Sequence, residues 1–445
     1  MTPRLNRERR RTWPVTAVLA AATARHLLVL HGIARSRRFL GHPAPNSPTA
    51  PTGDEATLYV IIPVLREAAI LDGTIDHFAH LAGGAGTLPI VVTTAREQAE
   101  RPGHRGEDTI RRAREAAAAG RCEHLHYPDP AGLKADQLNY AAQHLLAVTP
   151  PSEHDHTFLL CYDADSRPAP GSLTHFTQAI AEHPQVNVFH QSSRFVLPGQ
   201  TNKDHNWRTA IAEAGALRAN RFVLAYELPR LLNRSPQAPP HRRRLGSYVY
   251  SHVTGHGLCV RLSLLQRLPF PARSPLEDMH YSFILGSRNE PVVPIRSLDT
   301  AEVPADVRTQ VEQAARWFAG PARFARYLRD PQTTPGARAR LQAASAAAIT
   351  TEWLSCAVAP PTLAALLWRS PPATRRTAAA FATVYAAQLL AADLALEPDA
   401  RPVDRLRRIL AYPANCELFG IGGLLGAARL LHGAAPTGKT ERGPS

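Results

Sequence analysis

The run Thr157-Phe158-Leu159-Leu160-Cys161-Tyr162-Asp163-Ala164-Asp165 carries the reading of this chain. Its first six residues are an apolar stretch of strand length, rich in residues that suit a pleated, buried surface. The stretch runs directly into two carboxylates at i and i+2. In sheets that alternate with helices, ligands bind at the carboxyl ends of the strands. Asp163 and Asp165 are expected at such an end. Mg²⁺ and Mn²⁺ prefer oxygen ligands, and two carboxylates in this position can hold one such ion. Two polar turn residues after a strand would read the same way.

The surrounding sequence supports a sheet. Residues 58–64, opening Leu58-Tyr59-Val60-Ile61-Ile62-Pro63, read as a buried strand and residues 67–81 as the helix after it. Residues 88–93 read as a second strand and 109–119 as a helix. Residues 134–146 form another helix with Leu138, Ala141, Ala142 and Leu145 on one face. Residues 186–189 read as a further strand. Such alternation predicts an α/β fold with a mostly parallel sheet.

The chain has 445 residues, 44% of them hydrophobic and 20% charged, enough to build a folded core. Its formal net charge of +14 admits nucleic acid, an anionic membrane face or phosphorylated substrates as partners. Arginines cluster at 7–11, 35–38, 242–244 and 405–408, with no zinc-finger, RNP or basic-zipper pattern beside them. Nucleic acid is therefore not expected, and a cytoplasmic membrane surface fits better. The cysteines at 122, 161, 259, 356 and 416 show no C-x-x-C pair, which argues against a disulfide framework and suits a reducing compartment.

Five segments are expected. Residues 1–41 are a basic N-terminus leading into an amphipathic or membrane-inserted helix, interrupted by Arg25 and His26 and without a clear cleavage site. Residues 42–56 are a Pro-rich linker, 57–335 the α/β domain, 336–435 a helical region and 436–445 a disordered tail. Within the helical region, residues 343–368, 377–396 and 416–431 approach the length of a bilayer crossing, about 20 residues. Two or three membrane-associated helices are expected there, in preference to a soluble helical cap.

Four motifs follow one another: Asp163-Ala164-Asp165, Thr254-Gly255-His256-Gly257, Glu277-Asp278 and Gln313-Ala314-Ala315-Arg316-Trp317. Behind the strand that ends at Pro63 and the later Glu67, this series resembles the family 2 glycosyltransferases. Those enzymes have a GT-A fold and use nucleotide-sugars. The last motif resembles that of the branch containing cellulose, chitin and hyaluronan synthases. The resemblance covers residues 57 to 325.

The resemblance implies an inverting transfer from a nucleotide-sugar, a UDP-sugar by the family's habit, to a hydroxyl acceptor. The acceptor would be a polysaccharide, a glycolipid, a lipid-linked or a natural-product molecule. A Mg²⁺ or Mn²⁺ ion would sit at Asp163 and Asp165, with Asp163 also near the ribose. Asp278 would be the general base, with Glu277 raising its pKa or positioning the acceptor. Pro63, Glu67 and Lys134 would line the donor site, Lys134 opening a K-x-x-x-L-N segment with Asn139. His256 would reach a sugar hydroxyl. Gln313 and Arg316 share a helix face at i and i+3. Arg316 would grip the diphosphate and Trp317 offer a flat surface to a sugar ring. The protein would lie at the cell membrane with its catalytic domain cytoplasmic.

Each motif has a plainer reading. Glu277-Asp278 suits a helix start, where carboxylates complement the dipole. Thr254 to Gly257 suits a turn, Gln313 to Trp317 an amphipathic helix, and Lys134 an ordinary helix start. His252 and His256 have H-x-x-x-H spacing, but the intervening glycine makes a zinc-binding helix improbable. One departure concerns the donor. The family usually has an Asp for uracil after the second strand, and here Ile90-Val91-Val92 runs into Thr93-Thr94-Ala95-Arg96-Glu97. Base recognition would fall to Thr93, Thr94 or Glu67, or the nucleotide would not be UDP. A nucleotidyltransferase of related sheet architecture and a non-catalytic nucleotide-sugar-binding membrane protein are the rival readings.

Overall fold

A computed structural model describes residues 3–41, 56–82, 88–100, 107–198 and 206–433. The expected linker, apart from Ala56, and the expected tail lie outside the described residues. The strands are β1 (Thr57–Pro63), β2 (Ile90–Thr94), β3 (Glu123–Tyr127), β4 (Thr157–Cys161), β5 (Arg167–Pro168), β6 (Val188–His190), β7 (Ser193–Val196), β8 (Leu258–Arg261), β9 (Val292–Pro294) and β10 (Asp299–Glu302).

Seven of them form one sheet in the order β3-β2-β1-β4-β8-β6-β9. Neighbours are parallel except at β8, which runs antiparallel to both β4 and β6. A small sheet, β5-β10-β7, stands beside it. The fold is therefore α/β with a mostly parallel sheet. Side chains alternate across a strand, so each strand feeds two cores. Ile61, Leu159 and Cys161 point to the face covered by the helix Lys134–Val148. Val60, Ile62, Phe158, Leu160 and Tyr162 point to the opposite face, against the helices Leu71–Ala82 and Ser172–Glu182. From β1 the order departs to both sides, β2 on one and β4 on the other. Open α/β sheets bind ligands in the crevice at such a reversal.

Two boundaries moved for local reasons. The expected strand 88–93 begins at Ile90, past Pro89, which has no N–H for the ladder. The expected helix from residue 67 begins at Leu71, because Arg66 adopts φ 59° and turns the chain first.

The C-terminal region is helical. The expected apolar segment 343–368 is two helices, Ala337–Ser355 and Ala359–Arg369, with Pro360 and Pro361 in the first turn of the second. Among the described residues, three other helices are long and apolar enough to cross a membrane: Pro14–Gly41, Pro372–Leu396 and Pro402–Leu431. The first packs lengthwise on Pro372–Leu396. Pro402–Leu431 packs on Val307–Phe318, the helix that carries Arg316 and Trp317. Glycines make that approach possible. A Cβ on Gly422 would lie 2.6 Å from the Ala314 Cβ, and one on Gly426 would lie 2.5 Å from the Ala315 carbonyl oxygen. All five cysteines are free.

Gly257 is a tight backbone junction. It sits at φ 66°, donates to the Cys161 carbonyl at 2.8 Å and accepts from the Gln191 amide at 2.8 Å. A Cβ there would collide with the Gln191 backbone. Gly171 shares the left-handed geometry at φ 82° but faces open space. Gly257→Ala should therefore lose roughly 2–4 kcal/mol of stability, against about 1 kcal/mol for Gly171→Ala. Thermal unfolding of the two variants side by side checks this. Equal losses would show that the Gln191 contact relaxes.

Candidate active site

A cavity of about 510 Å³ opens at the carboxyl ends of β1, β2 and β4. Pro63, Thr94, Asp163 and Asp165 line it from those strand ends. Lys134, at the first turn of Lys134–Val148, enters from the neighbouring helix. Gly255 and His256 enter from the loop before β8, Glu277 and Asp278 from the first turn of the helix Glu277–Ser287. Gln313, Arg316 and Trp317 complete the wall from Val307–Phe318. That helix is started by Asp306, whose carboxylate accepts the Thr309 amide at 2.9 Å.

Two sequence candidates lie elsewhere. Glu67 is buried outside the cavity lining, and its carbonyl accepts the Ile70 and Leu71 amides at the helix start. Thr93 is also buried away from the cavity, with its hydroxyl between His124 at 2.8 Å and His126 at 2.9 Å. The residues that reach the cavity from β2 are its last, Thr94, and Arg96 just beyond it.

The Lys134 ammonium ties the site together. It donates to Asp163 Oδ1 at 2.6 Å and to the Gly255 carbonyl at 2.8 Å, and lies 3.5 Å from Glu277 Oε1. Burial alone would lower its pKa, but Asp163 and, more weakly, Glu277 hold it well above the ordinary lysine value. Gly255 leaves room for this arrangement. A Cβ there would lie 2.9 Å from the ammonium nitrogen and 3.0 Å from Glu277 Oε1.

The two adjacent carboxylates differ in state. Burial pushes Glu277 up to about 7, with Lys134 opposing and Asp278 adding to the rise. Burial would also raise Asp278, but His252 at 3.2 Å, the Lys134 charge and the Met279 amide at 2.7 Å together hold it below the usual carboxylate range. The Gly255 amide donates to it as well, at 3.2 Å. Of the two expectations for Glu277, a raised Asp278 pKa does not hold: the hydrogen bonds to Asp278 keep it below the usual carboxylate range, while Glu277 itself is pushed up.

His256 turns its Nδ1 to Asp299 Oδ2 at 3.2 Å and to the Ser193 hydroxyl at 3.0 Å. Burial would lower its pKa, yet the fully buried Asp299 pushes it up to about 9. His252, four residues earlier, turns instead to Asp278. Sequence reading missed His252 as a partner of Asp278, since no motif links positions 26 residues apart.

A metal would have few protein ligands. Among the described residues, no group of three or more His, Cys, Asp or Glu converges. Mg²⁺ commonly takes one or two carboxylates and completes its shell with water and substrate phosphates. Asp163 and Asp165 in one cavity fit that role alongside a diphosphate.

The His256–Asp299 pair should leave a mark on stability. The folded-state pKa of about 9 lies above the unfolded histidine value of about 6.5. Its contribution is fully present below pH 6.5 and is lost as pH rises toward 9. The melting temperature should fall across that window, and the fall should shrink in His256→Gln. An unchanged slope in the variant would assign the pH dependence to other groups.

No family model matches the chain, and no curated protein matches it. Among solved structures, it is similar to the mannosyltransferase PcManGT from Pyrobaculum calidifontis, solved in complex with GDP-Man and Mn²⁺. The identity is 19%, over 94% of this chain and 99% of that one, with a TM-score of 0.47. At that distance the likeness says nothing of this chain's donor or acceptor.

Proposed function

We propose that this chain is a membrane-associated, inverting glycosyltransferase of the family 2 type, with residues 57–335 as its catalytic unit on the cytoplasmic side. What carries the reading is one cavity that joins Asp163, Asp165, Lys134, Asp278, Arg316 and Trp317 at the carboxyl ends of β1 and β4. The motifs lie far apart in sequence, and the plainer readings of each do not require them to meet.

In this proposal the donor diphosphate lies over the strand ends, beside Lys134 and within reach of Arg316. A divalent ion held by Asp163 and Asp165 would supply neutralisation of the charge that develops on the leaving diphosphate. Asp278 is ionised and fixed by His252 and by the Gly255 and Met279 amides, so its carboxylate is aimed by three donors. It takes the proton of the acceptor hydroxyl as that oxygen bonds to the anomeric carbon. The bond from that carbon to the diphosphate oxygen breaks on the opposite face, and nucleoside diphosphate departs. Trp317 offers a ring face to a sugar. Base recognition falls to the segment Thr94 to Arg96, in place of the family's Asp.

A donor screen tests this. Purified protein with Mn²⁺ or Mg²⁺ is offered a panel of nucleotide-sugars with detergent-solubilised lipid extract as acceptor source, and nucleoside diphosphate release is recorded. One donor should be consumed. Asp165→Ala should abolish release, and Asp278→Asn should reduce it by about 10²–10⁴-fold while metal-dependent nucleotide binding persists. Absence of both release and nucleotide binding across the panel would sink the catalytic reading.

A further inference from the structure

The same cavity continues away from the strand ends, between the helices Trp207–Phe222, Ala337–Ser355, Pro372–Leu396 and Pro402–Leu431. Two of these are long and apolar enough to cross a membrane. Three guanidiniums face this part of the cavity: Arg218, Arg221 and Arg230. Among the described residues, none has a carboxylate as hydrogen-bonding partner. Arg218 lies 3.4 Å over the Phe419 ring and donates to Asn415 at 3.3 Å. Arg221, 6% exposed, donates to the Gln388 amide oxygen at 2.7 Å and lies 4.5 Å from the Tyr385 ring centroid. Arg230 lies 5.4 Å from the Tyr226 ring centroid.

The acids nearby hydrogen-bond elsewhere, though the Glu352 charge still acts on Arg230. Glu227 pairs with His190 at 3.3 Å, and Glu352 with Arg25 at 2.7 Å. Burial pulls Arg218 and Arg230 below the ordinary arginine value, whereas at Arg221 burial is outweighed by the neighbouring Tyr385, Tyr412 and Tyr226, which hold it above. Neutral amides and ring faces offset only part of the burial cost. An incoming anion would offset the rest, and a fork of guanidinium donors matches phosphate geometry.

We propose that this helical part of the cavity binds a phosphate-class anion through Arg218, Arg221 and Arg230, as the charged group of an amphiphilic acceptor. The word acceptor rests on the glycosyltransferase reading; the anion site does not. The aromatic and apolar wall of Tyr385, Tyr412 and Phe419 suits the chain that carries such a group.

The test is calorimetric titration of the full chain, in an uncharged sugar detergent, with octyl phosphate, octanol and inorganic phosphate. Octyl phosphate should bind at least about tenfold more tightly than octanol. Arg221→Gln and Arg230→Gln should each weaken it by about tenfold or more, and Arg221→Lys should recover part of the loss. Octyl phosphate binding more tightly than inorganic phosphate identifies an amphiphile. Equal binding of the two identifies a free phosphate at the same site and removes the amphiphilic acceptor. Equal binding of octyl phosphate and octanol, or no effect of the arginine variants, overturns the site. Metal-dependent nucleotide binding, measured in parallel, reports whether each variant is folded. Its absence from the wild-type protein would count against the transferase reading and leave the anion titration standing.

Discussion

One half-buried ammonium holds the site together. Lys134 reaches the end of β4 through Asp163, the loop before β8 through the Gly255 carbonyl, and the helix Glu277–Ser287 through Glu277. Four separately folded pieces of chain share this single positive charge. The cost of taking an ammonium partly out of water is met only if its acceptors are well placed, so the geometry of all four pieces is linked. Gly255 is part of that constraint through space and not through backbone strain. Any side chain there would occupy the volume where the lysine and Glu277 meet.

The same charge divides the two adjacent carboxylates. Lys134 cannot neutralise both Glu277 and Asp278 in a buried setting, so the group with more donors keeps its charge. Asp278 has two backbone amides and His252, while Glu277 is pushed up to about 7. Neighbouring acids driven apart in this way are suited to different duties. Asp278 is the more acidic of the two, and Glu277 can hold a proton near neutrality.

The helical region is structurally continuous with the site. Gly422 and Gly426 let Pro402–Leu431 approach the backbone of Val307–Phe318, so the helix bearing Arg316 and Trp317 is braced by one long enough to cross a membrane. Arg194 and Glu397 join β7 to the end of Pro372–Leu396 at 2.8 Å. Arg405 and Arg408 close on the buried Asp393 at 2.7 Å and 2.8 Å, pinning the last two long helices to each other.

Local sequence determined the elements. Apolar runs of strand length, the 3.6-residue period of the helix at 134, the prolines that split residues 343–368 and the carboxylates after β4 are all readable within a short window. Their meaning depends only on neighbours a few residues away. What the tertiary structure decided is what meets across the chain. The antiparallel insertion of β8, the pairing of His252 with Asp278, the tie of His256 to Asp299 and the removal of Glu67 and Thr93 from the cavity involve contacts between distant segments. No local period encodes such contacts. The protonation states follow the same division: a carboxylate pair is visible in sequence, but which member keeps its charge depends on burial and on the donors that folding brings to it.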